Sequence, residues 1–521
     1  MNGPAPTPPA ATDSRARSTT KQIRGSALLM VGRGISLGLN FAVQVLIVRY
    51  LSKLDYGAFA YGLQVMHLVS RMSLFGMDRV AARFVATYDE QRDAPRLLGS
   101  IVLMILTIFC LGVGAIVTVT GFQVFIGNTL VSSPKSLTLL LALILLAPVE
   151  ALDSLLQSLF AAFSKARLIF FRRYVVGPSL KLAAVLLVIA STGDVVQLAL
   201  TYVTAGFVGF LIGATLLFRV FRERGLLAQL RFRRLVFPAG KIYAFGVPMM
   251  LSDLTLQLRS TLIVMLLEFF HGSGGVADFR AVLPAARLNR VVLNSFGHMF
   301  MPAVARLLAR NESREINELF WRSTVWVTVL SFPAFALTFA FAEPVTVLLF
   351  GERYAGSATI LALLSLGMFL SASVGLNSLV LKGSGKTGRV VFTDVSTVVV
   401  MVTANLLLIP PYGAFGGACG FCLTALFQTL MYQVGTHRSV GIELIPWKYV
   451  HVYAAAAICV AVLTLVQKLW DPHIAICIVL VGIAWLLLLM TGRRQLDVEQ
   501  TFPELLRLPL VRGLLVPADR D

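Results

Sequence analysis

Charged side chains are what this chain has least of. Asp, Glu, Lys and Arg make up 14% of its 521 residues, where a soluble domain carries about 25%. Acids are scarcer still, 26 against 45 bases. Cysteine is rare and odd in number, with five, so a secreted disulfide scaffold is excluded. Cys419 and Cys422 have the CxxC spacing of redox and metal sites. Gly416, Gly417, Gly420 and Phe421 surround them, and no acid or His lies within reach along a helix. They read as small packing residues, like Cys110, Cys459 and Cys477 in other apolar runs.

What is abundant is hydrocarbon. Hydrophobic residues form 57% of the chain, and the mean hydropathy is +0.81. A single soluble core stops growing at about 250–300 residues, so a water-soluble fold cannot hide this much apolar surface. Disordered chains and soluble enzymes are excluded with it. A membrane barrel would show short alternating segments rather than long apolar runs. The fold expected is an all-α integral membrane protein.

At about 20 apolar residues to a span, fourteen transmembrane helices are expected. They fall at 25–48, 57–77, 97–126, 136–162, 168–191, 195–219, 242–268, 276–301, 323–350, 357–381, 390–410, 414–436, 449–468 and 473–491. Residues 1–24 are rich in Pro, Ala, Thr and Ser and end on Arg15, Arg17, Lys21 and Arg24. They read as a disordered cytoplasmic tail, not a cleaved signal peptide. Residues 492–521 read as a second tail, in which Pro503, Pro509 and Pro517 limit helix length.

The bases give an orientation. With the N-terminus inside, the cytoplasmic segments hold Arg79, Arg83, Arg92 and Arg96, then Lys165, Arg167, Arg172 and Arg173, and most of the other bases. Only Arg49, Lys53, Lys135, Arg353 and Lys468 fall outside or at the outer edge. Cytoplasmic loops are the basic ones, so both termini are expected in the cytoplasm. The net charge of +19 is then a topology signal and an attraction to anionic lipid. No stacking aromatics interleave the basic loops, so no nucleic-acid partner is expected.

A weak repeat divides the chain. Residues 49–61 lie over 269–281, matching Phe59 to Phe279, and Phe75–Gly76 corresponds to Phe296–Gly297. Parallel repeats of this kind are a transporter architecture. The expected organisation is an N-lobe over 25–219 (spans one to six), a basic joint over 220–241 and a C-lobe over 242–436 (spans seven to twelve). Two further spans follow over 437–491. The two six-helix lobes are expected to surround a central cavity.

Seven bases fall inside spans: Arg33, Arg71, Lys181, Arg259, Arg280, Arg287 and Arg290. Each costs about 2.5–3.5 kcal/mol at a helix centre facing lipid, so most should face water or an acid. Helical spacing groups them with polar neighbours. Arg33, Asn40 and Gln44 share a face of span one, and Gln64, His67 and Arg71 one of span two. Arg280, Arg287, Arg290, Asn294 and His298 stripe span eight. These residues predict a cationic chamber and hence an anionic ligand, for which the guanidinium fork suits phosphate. The membrane acids are Glu150, Asp153, Asp253 and Asp394. Glu150 and Asp153 read as a structural ion pair, with Lys181 as partner, or as coupling groups. Asp253 and Asp394 read as coupling groups or as partners of a nearby Arg.

Three stretches carry a family resemblance. RYLSKLDYGAFAYG at 49–62 resembles the loop after the first helix of polysaccharide flippases. AEPVTVLLFGERYAGSATILALLSLGMFL at 342–370 resembles their helix-nine to helix-ten signature. LKGSGKTGRVVFTDVSTVVVMVTANLLLIPPYGAFGG at 381–417 is similar to their Gly-Lys turn, helix-end Asn and Pro-x-x-Gly-x-x-Gly start of the next helix. The family is the oligosaccharide flippases of polysaccharide biosynthesis (Wzx-type), in the multidrug/oligosaccharidyl-lipid/polysaccharide exporter superfamily. The resemblance implies twelve core helices plus two and alternating access in a bacterial inner membrane. It also implies a cargo of undecaprenyl-pyrophosphate-linked sugar. It implies no cofactor beyond a proton or sodium gradient or the membrane potential. A polysaccharide polymerase and a chain-length regulator are the protein partners in view. In the related lipid II flippases, helices one, two, seven and eight line a cationic cavity, and Arg33, Arg71, Arg259, Arg287 and Arg290 sit on the matching helices here. The alternatives are a lipid II flippase, a multidrug exporter of the same fold, and a membrane-embedded polymerase. The drug exporter favours an acidic pocket, and the polymerase needs a large catalytic outer loop. Pro248, Pro284 and Pro333 mark candidate bends for alternating access.

Overall fold

The computed structural model describes residues 10–129, 131, 133–229, 235–310 and 312–496. Residues 1–9 and 497–521 of the expected tails, and 230–234 of the expected joint, lie outside the described residues. The chain is nearly all helical. Among the described residues, ten helices are long and apolar enough to cross a membrane, or eleven if one bent pair forms a span. That pair lies across the expected long span 323–350: Arg314–Phe339 and Ala342–Phe350 meet at 76°.

Local chemistry sets the helix ends. Ser52 caps Lys53–Leu74 by accepting from the Asp55 amide at 3.1 Å. Asp93 caps Ala94–Gly121 from the Arg96 amide, with Pro in its first turn. Asp194 caps Val195–Glu223 from the Gln197 amide at 2.9 Å. Each satisfies an amide that the helix itself leaves unpaired. The first helix, Ala10–Tyr50, starts inside the stretch expected to be disordered. It begins just after Pro8 and Pro9, and no later proline interrupts it.

Two long helical elements are broken by glycine. Thr387–Val440 holds Gly413 at φ 54°, ψ −133°. A Cβ on Gly416 would lie 2.0 Å from the Leu408 carbonyl oxygen, yet eight helical residues span about 12 Å. Gln428 and Tyr432 reach back to Asp394. The chain therefore turns at Gly413 into two antiparallel helices, as expected for 390–410 and 414–436. Ala239–Arg287 breaks likewise at Gly272, φ 66° and ψ −169°. A Cβ on Gly275 would touch Leu267, eight residues earlier. These breaks do not fall at Pro248 or Pro284, and Pro333 sits inside the continuous helix Ser313–Phe339.

The chain divides into two compact units, Met1–Val264 and Met265–Asp521. In the first, Met77, Val80, Leu97, Met104, Leu155 and Phe160 anchor the core. In the second, Phe320, Trp321, Phe332, Phe341 and Leu376 do so. There Trp326 Nε1 donates to the Leu496 carbonyl and Trp485 Nε1 to the Val329 carbonyl, both at 3.0 Å. These bonds fasten Ile474–Leu496 onto Ser313–Phe339. Other large apolar side chains, among them Phe109, Val117, Leu187, Phe392, Leu407 and Val479, are exposed. They suit a lipid-facing surface.

Candidate functional site

In the first unit, Ala10–Tyr50 carries Arg33, Asn40 and Gln44. Arg33 and Asn40 are exposed. Asn40 Nδ2 donates to the Ser36 carbonyl at 2.6 Å, and Gln44 donates to the Tyr56 hydroxyl. On Lys53–Leu74, Gln64 is buried and donates to Thr261 Oγ1 at 2.9 Å and Ser260 Oγ at 3.2 Å. One turn on, His67 Nδ1 lies 3.0 Å from Glu150 Oε2. A further turn on, Arg71 is exposed. On this helix Gln64 and His67 thus engage other helices, while Arg71 is exposed.

The membrane acids of this unit all have partners. Asp153 pairs with Arg172, Nη2 to Oδ1, at 2.5 Å. This corrects two expectations: Lys181 is not the direct partner, and Arg172 is not a loop base. Arg172 sits in the π-helical turn Phe170–Val176 and is 6% exposed. Asp253 pairs with Arg79, whose Nη1 also meets Met249 Sδ at 3.4 Å. The reading of Asp253 as the partner of a nearby Arg describes this contact. Arg259, six residues on, is half-buried.

In the second unit, Ala239–Arg287 runs into a 3₁₀ turn, Leu288–Arg290. Residues three apart align along a 3₁₀ turn, which puts Arg287 and Arg290 on one side, both exposed. Asn289 between them is fully buried and donates to the Ala286 carbonyl at 2.9 Å and Thr338 Oγ1 at 3.2 Å. It anchors the turn, a role that spacing alone does not reveal. Asn294 follows on Val291–Ala309, exposed. The His298 side chain lies outside the described residues. Arg33, Arg259, Arg280, Arg287 and Arg290 all have contacts, so none stands alone. Asp394 accepts from Tyr432 Oη at 2.9 Å and Gln428 Nε2 at 3.1 Å.

The second unit also holds an apolar groove of about 1110 Å³, lined by Phe335, Phe339, Phe369, Leu430, Tyr453 and their neighbours. Cys422 is buried and Cys419 half-buried, both as free thiols. A Cβ on Gly367 would lie 3.1 Å from Cys422 Cα, so small residues let these two helices approach closely.

Known proteins share this sequence and fold. The profile of the family described as polysaccharide biosynthesis protein matches residues 23–308. The succinoglycan biosynthesis transport protein ExoT of Rhizobium meliloti is 24% identical over 384 residues, covering 72% of this chain and 71% of that protein. The lipid II flippase MurJ, in an inward closed conformation, superposes with a TM-score of 0.68 at 14% identity, covering 91% of this chain and all of that one. An inward-facing multidrug resistance MATE family transporter superposes at 0.67, also with 14% identity, covering 78% of this chain and 94% of that one. The chain belongs to the polysaccharide biosynthesis protein family and shares its fold with MurJ and the MATE transporter.

Proposed function

We propose that the chain is a flippase for undecaprenyl-pyrophosphate-linked oligosaccharide. It moves these units from the cytoplasmic to the outer leaflet of a bacterial inner membrane, by alternating access, for polysaccharide assembly. The observation that carries this reading is the sign of the charge within the spans. Arg33, Arg71 and Arg259 in the first unit and Arg287 and Arg290 in the second are bases at polar helix faces. Guanidinium groups so placed favour a pyrophosphate, whereas a cationic drug would favour acids. Gln44, Gln64, His67, Asn40 and Asn294 supply polar contacts beside them. An apolar groove like that at Phe335 and Phe369 suits a polyprenyl chain.

The finer architecture belongs to the same reading: fourteen spans, two lobes of six, two added helices, and both termini cytoplasmic. The chain moves its cargo without changing bonds in it. A polymerase and a chain-length regulator would work downstream. Asp253, Asp394, Glu150 and Asp153 are the candidates for coupling to an ion gradient. The membrane potential adds about 2.3 kcal/mol per charge per 100 mV, and a negative interior favours outward movement of an anion.

The test is translocation of a lipid-linked sugar in vesicles at equal membrane levels of wild type, Arg287→Ala and Arg290→Ala. Transport should fall at least tenfold in both variants, each losing a charged hydrogen bond worth about 1.5–3 kcal/mol. Full transport by both variants removes this turn from the site.

A further inference from the structure

The first unit carries a cluster of ionisable groups beyond the Arg stripe. His67 meets Glu150, and Arg172 meets Asp153. Gln157 donates to the second Asp153 oxygen at 2.8 Å. Lys181 Nζ lies 5.6 Å from the Tyr202 ring centre and within electrostatic reach of Glu150 and Asp153. Arg71 acts on Glu150 as well.

One charge in this cluster is open to change. Arg172 and Lys181 balance Asp153 and Glu150. Arg71 adds a fixed positive charge, and the remaining group, His67, is an imidazole, the side chain whose charge ordinarily changes between pH 5 and 8. An ionised carboxylate only accepts hydrogen bonds, so the tautomer that suits His67 Nδ1, 3.0 Å from Glu150 Oε2, carries its proton there. Nε2 then holds the lone pair that takes a further proton. His67 keeps 37% and Glu150 35% of its side-chain surface, so the pair is not sealed within the helix packing.

Other titratable groups lie on the packed helices, among them Arg259 and Asp253, the latter paired with Arg79. Arg96 pairs with Asp93 and Lys135 with Asp55, at helix ends. Cys110 is exposed on Ala94–Gly121. Ala10–Tyr50 brings Arg33, Arg49 and Tyr50, whose hydroxyl donates to the Gly193 carbonyl at 2.8 Å. Sodium fits the cluster poorly. Hard cations take about six oxygen ligands, and here both carboxylates already face nitrogen groups, His67 and Arg172. Among the described residues no three His, Cys, Asp or Glu side chains converge on a metal position.

We propose that His67, oriented by Glu150, is a proton-binding site of the first unit, and that its proton and an anionic headgroup at Arg71 strengthen each other's binding. The second half rests on the anion reading above. His67 and Arg71 are four residues apart on Lys53–Leu74, hence neighbours on its surface. A proton at Nε2 sets a second positive charge beside Arg71, and the coupling is reciprocal.

The test titrates the full chain in lipid nanodiscs with inorganic pyrophosphate at pH 8 and pH 6, as wild type, His67→Gln and His67→Lys. The ligand's own protonation is common to all three. Relative to His67→Gln, wild type should gain about tenfold in affinity on going to pH 6. His67→Lys, with a fixed charge, should bind tightly at both. Equal pH dependence in wild type and His67→Gln overturns the coupling. Proton uptake by the ligand-free chain between pH 8 and pH 5.5 is measured alongside, and wild type should take up one proton more than His67→Gln. Without that difference the proton site itself is overturned. If the proton is present but pyrophosphate binds at neither pH, the anion reading falls and takes the coupling with it, while the proton site stands.

Discussion

Arg172 shows what a single residue can conceal. In the sequence it stands beside Arg173 at the end of an apolar run and reads as one more cytoplasmic base. In the structure its guanidinium turns inward, into a slot left by Gly177, Gly209 and Gly213. A Cβ on Gly209 would lie 2.9 Å from Arg172 Nη2. Counting charges places a residue along the membrane normal but does not say which way it points. The π turn Phe170–Val176 shifts the helical phase here, and spacing rules for an α-helix miss that. The same limit applies to Asp253, whose partner Arg79 lies 174 positions away in the chain. With both partners nearly buried, Arg172→Ala would leave Asp153 uncompensated. It should lower stability by about 3–5 kcal/mol, and the paired change Arg172→Met with Asp153→Leu should recover most of that. Thermal unfolding in detergent checks both.

Among the elements, apolar length was readable and the expected spans bracketed both breaks, but the backbone device that makes each break was not. Proline drew attention to positions 248, 284 and 333, yet long membrane helices accommodate a missing amide through neighbouring groups. A positive φ followed by extended ψ reverses the chain, and that falls to Gly272 and Gly413. Gly413 stands in the Pro-x-x-Gly-x-x-Gly stretch that carries the family resemblance, whereas no such motif marks Gly272. Gly413→Ala should cost about 1–3 kcal/mol for the strained backbone. Gly416→Ala should do more damage, because its Cβ would sit 2.0 Å from the Leu408 carbonyl oxygen. Gly388→Ala meets nothing within 4 Å and should be near neutral. The yield of monodisperse protein after detergent extraction orders the three.

For the whole molecule, composition alone led to a polytopic helical membrane protein, and the quoted motifs led to its family. Both follow from properties summed over many residues, which tolerate local error. The candidate site was readable only as a set of helix faces. Arg33, Arg71, Arg287 and Arg290 were legible because a base in an apolar run is conspicuous. Gln64, His67 and Asn289 bind partners distant in the chain, which spacing cannot see. The account stands on the sign of the cargo's charge. The most direct measurement reconstitutes the chain in liposomes and offers two cargoes, a polyprenyl-pyrophosphate-linked sugar and a cationic amphiphile. The sugar should cross to the opposite leaflet while the cation stays where it was placed. Movement of the cation, with the lipid-linked sugar left behind, would contradict the account.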